Sequence, residues 1–136
     1  DAQQRQVQVT SKLLDTFEAS GTPWLIGGDF NLLPLGQYQR LPAEQRGAYQ
    51  ADSALHVLWD KYPMIPNNTE VGGIDRAKWL TYFPNDPRIS GPDRTVDYLL
   101  HSPRIKRVSA SVRQEDTLLI SPHLPVVGRF LLPVLP

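Results

Sequence analysis

The chain has 136 residues, room for one domain of ordinary size and not for two. Fourteen basic residues balance fourteen acidic ones, which excludes a strong whole-chain electrostatic footprint for nucleic acid or an anionic membrane, though not a local one. The absence of cysteine excludes disulfides, thiolate catalysis and cysteine-ligated zinc, and 40% hydrophobic with 21% charged residues excludes a disordered or fibrous chain. The longest apolar runs are a few residues, so no transmembrane segment is expected. Thirteen prolines and nine glycines exceed the roughly 12% of average usage and predict a loop-rich fold. The opening Asp1-Ala2-Gln3-Gln4-Arg5 is not signal-like, and a start at Asp reads as cleavage or truncation.

In chain order, the first twenty residues predict a helix. Val7, Leu13, Leu14 and Phe17 share a stripe, Gly21 is placed to end the helix, and Pro23 prevents its resumption. Trp24-Leu25-Ile26-Gly27-Gly28 then reads as a strand buried on both faces. Residues 32–50 are irregular. Ala51 to Trp59 predicts two helical turns with Ala51, Leu55, Leu58 and Trp59 inward, and Lys61 to Asp75 a long Pro/Asn/Gly loop. A short strand is expected over Trp79 to Phe83, followed by turn chemistry at Pro84-Asn85-Asp86-Pro87 and Ser90-Gly91-Pro92-Asp93. Arg94 to Leu100 reads as a strand with Val96, Tyr98 and Leu100 on one face and Thr95, Asp97 and Leu99 on the other. Val108, Ala110 and Val112 mark a half-exposed strand, and Leu124 to Leu132 a last one.

Three polar groups interrupt apolar segments. If the strand stays extended to Asn31, Asp29 and Asn31 share a side, a carboxylate and an amide suited to water activation and oxyanion contact; the alternative is a turn in which both merely satisfy loop backbone. Asp97 sits inside a strand, where a carboxylate needs a partner unless its face is solvent. His123 lies between apolar runs; alone it reads as structural, but an Asp–His pair would fix its tautomer and let it donate to a phosphate oxygen. That need for a partner predicts Asp97 and His123 within hydrogen-bonding reach. His56 and His101 read as structural or surface residues. No zinc-type spacing, phosphate-cradling glycine loop or nucleophile elbow occurs. Arg104, Lys106, Arg107 and Arg113 read as a solvated basic face, which leaves local nucleic-acid contact open. Arg94, beside Asp97, is the better candidate for touching phosphate.

Gly28-Asp29-Phe30-Asn31, Thr95-Val96-Asp97-Tyr98 and Ser121-Pro122-His123-Leu124-Pro125-Val126, in this order after a helix carrying Arg5 and Gln8, resemble motifs of the endonuclease/exonuclease/phosphatase superfamily. The resemblance implies an α/β fold, half of a four-layer α/β sandwich, with a mixed, mostly antiparallel sheet and flanking helices. It implies metal-dependent phosphoester hydrolysis with Mg²⁺ or Mn²⁺. Asp29 would orient or deprotonate water and weakly contact metal, and Asn31 would hold Asp29 and touch a phosphoryl oxygen. Asp97 would pair with His123, and His123 would stabilise charge on phosphorus.

The substrate would be a phosphate ester: a nucleic acid, a phospholipid headgroup or a smaller ester. By the same resemblance residues 1–136 would correspond to the family's carboxy-terminal half. The principal metal-binding Glu is expected in an amino-terminal half, because no strand ending in an acidic residue precedes the first helix. Pro122 stands where the family has Asp and offers neither carboxylate nor backbone N–H. With the missing half, this departure makes a non-catalytic scaffold or binding member the alternative. Exposed apolar surface is expected where a partner half would pack.

Overall fold

The computed structural model describes residues 2–134; Asp1, read as a cleavage or truncation point, lies outside them. Helix α1 spans Ala2–Ala19 and buries Val7, Ser11 and Leu14. The predicted stripe is corrected at two places. Leu13 lies about 100° round the helix from Leu14 and is exposed, and Phe17, in the last turn, is exposed as well. Gly21 adopts φ 73°; its N–H donates to Glu18 O and the Thr22 N–H to Phe17 O, both at 3.0 Å, closing the helix with a left-handed cap.

Strand β1, Leu25–Asp29, pairs antiparallel with a later strand, β3, Asp97–His101; β3 also pairs with the short β2, Met64–Ile65, giving the order β1-β3-β2. The register sets two faces. Ile26, Met64, Tyr98 and Leu100 face one way and pack with Val7, Leu14 and Trp24 and with Leu55 and Leu58 from α2, His56–Trp59, and the turn before it. Asp29 and Asp97, opposed in register, face the other way, beside the Gly27–Leu99 and Leu25–His101 pairs. The expectation of a strand buried on both faces is therefore wrong: β1 is an edge strand, and Leu25 and the glycines on it are exposed. At Gly27 a Cβ would come within 2.5 Å of Leu99 Cδ2, so any larger residue would require the Leu99 side chain to shift.

A second sheet pairs β4, Lys106–Val112, with β5, Val126–Leu131. A register shift between Arg107 and Ser109 turns Val108 out to solvent, where alternation alone had it with Ala110 and Val112. The fold is thus α/β with antiparallel pairing among the described strands. Three segments differ from expectation. Ala51 is exposed and only the turn at His56–Trp59 is helical. The presumed loop 61–75 contains β2 and α3, Asn68–Gly72, opened by a reciprocal cap between Asn67 and Glu70. Trp79 ends a 3-10 helix instead of starting a strand, and Tyr82 makes isolated bridges to Arg94 and His123.

Candidate active site

The site forms where β1 ends, β3 begins and the 121–124 segment passes across them. Because Asp29 and Asp97 are direct cross-strand partners, their carboxylates stand side by side on the face away from the helices. The third member arrives through loop hydrogen bonds. Phe83 N–H donates to Pro122 O at 2.8 Å and Leu124 N–H to Thr81 O at 2.7 Å, so residues 81–83 and 122–124 run clamped together. His123 Nδ1 then lies 3.0 and 3.1 Å from the two Asp97 oxygens, and its Nε2 is 3.9 Å from Asp29 Oδ2. The pair expected from the sequence is present, 26 positions apart.

The three side chains form a gradient of exposure: Asp97 15%, His123 41% and Asp29 47%. Burial pushes the Asp97 carboxyl above the usual carboxylate range and the nearby Asp29 charge adds to this, while the His123 hydrogen bond opposes both. With Nδ1–H donated to Asp97, the imidazole presents Nε2 to the open side near Asp29. Tyr82 packs edge-on against the ring, centroids 4.8 Å apart, and Ser121 Oγ accepts the His123 N–H at 3.1 Å. Pro122 is exposed beside it, with its carbonyl taken by Phe83.

Asp29 and Asn31 follow the turn alternative instead of the extended one. β1 stops at Asp29, Asn31 takes φ 49°, and its backbone N–H donates to Asp29 Oδ1 at 2.8 Å. Asn31 thus steadies Asp29 through its backbone, and its exposed side chain is not aligned with Asp29 by strand periodicity. Arg94 is a correction. It is 5% exposed, and its guanidinium is spent on Asp93 at 2.7 and 2.9 Å, on Gln45 and on Tyr49, so it is a buried anchor and not a phosphate contact.

Members of the basic face are also paired: Arg107 with Glu70, Arg113 with Asp116, and Arg104 with Glu18 at 3.8 Å. His56 and His101 bind backbone carbonyls of Ser53 and Ser102, in keeping with structural roles.

Two residues that hold the site were not singled out from sequence. Thr81 is fully buried, and its hydroxyl accepts the N–H groups of Val96 and Asp97 at 3.0 and 3.1 Å. Tyr82 supplies the ring against His123. A hydroxyl residue between Leu80 and Tyr82 was the available signal for Thr81, since a buried Thr needs a stated partner.

Two carboxylate oxygens and an imidazole nitrogen from Asp29, Asp97 and His123 lie within 4.8 Å of one another, a spacing that fits a divalent cation. Since Asp97 is engaged with His123, Asp29 offers the freer oxygen to a hard ion such as Mg²⁺. No described helix is long and apolar enough to cross a membrane. A family model described as Endonuclease/Exonuclease/phosphatase family matches residues 1–122. No curated protein and no solved structure matches the chain.

Proposed function

We propose that this chain, which belongs to the endonuclease/exonuclease/phosphatase family, supplies the water-activating Asp and the Asp–His pair of a Mg²⁺- or Mn²⁺-dependent phosphoesterase. Members of that family are hydrolases of phosphoester bonds. The observation that carries the reading is the Asp97–His123 hydrogen bond set beside Asp29 on one open face.

In this reading Asp29 accepts a proton from the attacking water as the water oxygen bonds phosphorus and the ester P–O bond breaks, the departing alcohol oxygen taking a proton from solvent. Asp97 holds the imidazole so that a protonated Nε2–H donates to a phosphoryl oxygen, where charge develops. The Asn31 side chain contributes a second donor to that oxygen, while its backbone fixes Asp29. Asp29 would hold the cation, which supplies Lewis acidity and charge neutralisation when bound. Phosphoryl transfer asks mainly for positioning and electrostatics, which these groups offer.

Residues 1–136 act in this proposal as the carboxy-terminal half of a four-layer sandwich. The main metal-binding Glu comes in this proposal from an amino-terminal half outside residues 1–136. The test uses the full-length protein, a bis-aryl phosphate and Mg²⁺. Asp29→Ala is expected to lower turnover at least about a hundredfold, the lower range for a lost general base, with folding intact because the side chain is exposed. Near-normal hydrolysis in that variant would make Asp29 structural. Absence of metal-dependent turnover in the wild type would favour a non-catalytic binding member, the alternative to which Pro122 points.

A further inference from the structure

We propose that Tyr82 and Arg94 are positioning residues for His123: the buried guanidinium backs the Tyr82 ring, and the ring fixes the tilt of an imidazole that Asp97 alone leaves free to turn. The expected effect on turnover rests on the phosphoesterase reading of the site, whereas the contacts themselves do not.

The bond to Asp97 ties down one ring nitrogen. His123 Nδ1 lies 3.0 and 3.1 Å from the two Asp97 oxygens, so the imidazole can pivot on that contact. Its own χ2 adds little restraint, because torsions onto a planar ring are broad and roughly two-fold. The side chain is 41% exposed, so solvent does not hold it either. The restraint comes from Tyr82, whose ring meets the imidazole at 4.8 Å and 62°, the edge-on geometry that ring quadrupoles favour. The backbone of Tyr82 bridges His123 on one side and Arg94 on the other. Its N–H donates to Arg94 O at 3.0 Å, and its carbonyl accepts the Asp93 N–H at 3.1 Å.

The ring has a rigid backing in turn. Arg94 Cζ lies 5.7 Å from the Tyr82 ring centroid and 5.6 Å from that of Tyr49, within cation–π range of both. Burying a cation is costly unless its donors are satisfied, and here they are. Nε donates to Asp93 Oδ1 at 2.7 Å, Nη2 to Asp93 Oδ2 at 2.9 Å and to Gln45, and Nη1 to the Tyr49 hydroxyl at 3.5 Å. The guanidinium plane cannot swing away from Tyr82, which also packs on Leu33, Leu41 and Val96. A chain of contacts therefore runs from Asp93 through Arg94 and Tyr82 to His123. A buried arginine that contacts no ligand has its use in what it holds.

The experiment uses the full-length protein, Mg²⁺ and a bis-aryl phosphate, and follows the His123 Nδ1–H resonance by nitrogen-edited NMR. Tyr82→Leu should lower kcat about tenfold with KM within about twofold, short of the roughly hundredfold that a ~1 Å misplacement can cost, because leucine fills part of the space. Tyr82→Phe keeps the ring and should restore wild-type values. Arg94→Lys keeps the charge and loses the plane, so it should lower kcat about threefold and cause no further loss in the Tyr82→Leu background. The Nδ1–H signal should be sharp in the wild type and in Tyr82→Phe, and broadened by exchange in Tyr82→Leu and Arg94→Lys. Unchanged kcat in Tyr82→Leu, a loss carried by KM, no recovery with Tyr82→Phe, or losses from Arg94→Lys and Tyr82→Leu that multiply would each overturn the proposal. Should Tyr82→Leu not fold, Arg94→Lys, in which the ring is intact, decides: unchanged kcat and a sharp signal overturn the proposal. A wild type without turnover removes the phosphoesterase reading and leaves the NMR signal to decide the rest. Equal sharpness in all variants then removes the positioning role as well, and selective broadening upholds it.

Discussion

At the scale of single residues, the site depends on groups that never face its open side. Thr81 is the clearest case. One buried hydroxyl oxygen accepts two backbone N–H groups at the start of β3, and the same residue's carbonyl accepts Leu124 N–H. Thr81→Val preserves shape and removes the acceptor, leaving the Val96 and Asp97 amides unsatisfied. A buried donor left without a partner costs about 1–3 kcal/mol. Thr81→Val should therefore lower stability by about 2 kcal/mol and, in the full-length protein, weaken turnover more than it weakens substrate binding, since Asp97 loses its fixed backbone. Chemical denaturation with steady-state kinetics checks both; unchanged stability would mean that water replaces the hydroxyl and that Thr81 does not position Asp97. Arg94 gives the opposite lesson. A basic residue beside a catalytic-looking strand is not thereby a ligand contact, because burial obliges it to spend its donors on Asp93, Gln45 and Tyr49.

Among elements, α1 is held to the segment after α2 by Asp15, whose carboxylate accepts from Lys61 Nζ at 2.7 Å and from the Tyr62 hydroxyl. Burial, followed by the hydrogen bond to Asp15, pushes the Tyr62 phenol up to about 12 from 10.0. A group whose pKa is raised on folding contributes stability that is complete below its unfolded value and disappears as pH rises through the folded one. The wild type should therefore lose stability between pH 10 and about 12 more steeply than Tyr62→Phe, in which this titration is absent. Denaturation midpoints across that range test it, and parallel curves would show that Tyr62 is not coupled to folding. The other end of α1 is set by Gly21 at φ 73°. Gly21→Ala should cost about 1 kcal/mol, because a Cβ is disfavoured in the left-handed region even where no atom obstructs it. Thermal melts would show this as a lowered midpoint, and an unchanged midpoint would mean the cap rearranges freely.

For the whole molecule, the site is assembled from β1, β3 and the 121–124 segment, and the readable part of it was what two-residue periodicity governs. Asp97 opposite the buried Val96, Tyr98 and Leu100 was legible because alternation along β3 puts it on the other face, and His123 was legible as its partner through the need to pair a carboxylate in a strand. The turn at Asn31 was readable only as one of two alternatives, since Asn tolerates positive φ without requiring it. The exposure of β1 was not readable at all. A short apolar run looks the same whether its second face is covered or open, and only the strand order decides. The bulge that turns out Val108 likewise leaves no composition signal. The Asn67–Glu70 cap, by contrast, was present as an Asn-x-x-Glu spacing and was passed over inside a Pro/Asn/Gly stretch.

The central claim is that Asp97 acts through His123, as its orienting partner, beside an independent Asp29. A double-mutant cycle in the full-length protein measures this directly, with Asp97→Asn, His123→Ala and the combined variant assayed for Mg²⁺-dependent turnover. Each single change should lower kcat by about 10²–10⁴-fold. Once the imidazole is gone, Asp97 has nothing left to orient, so the double variant should fall within about threefold of the worse single one. Losses that multiply would contradict the account, because they would mean that Asp97 and His123 contribute separately to the reaction.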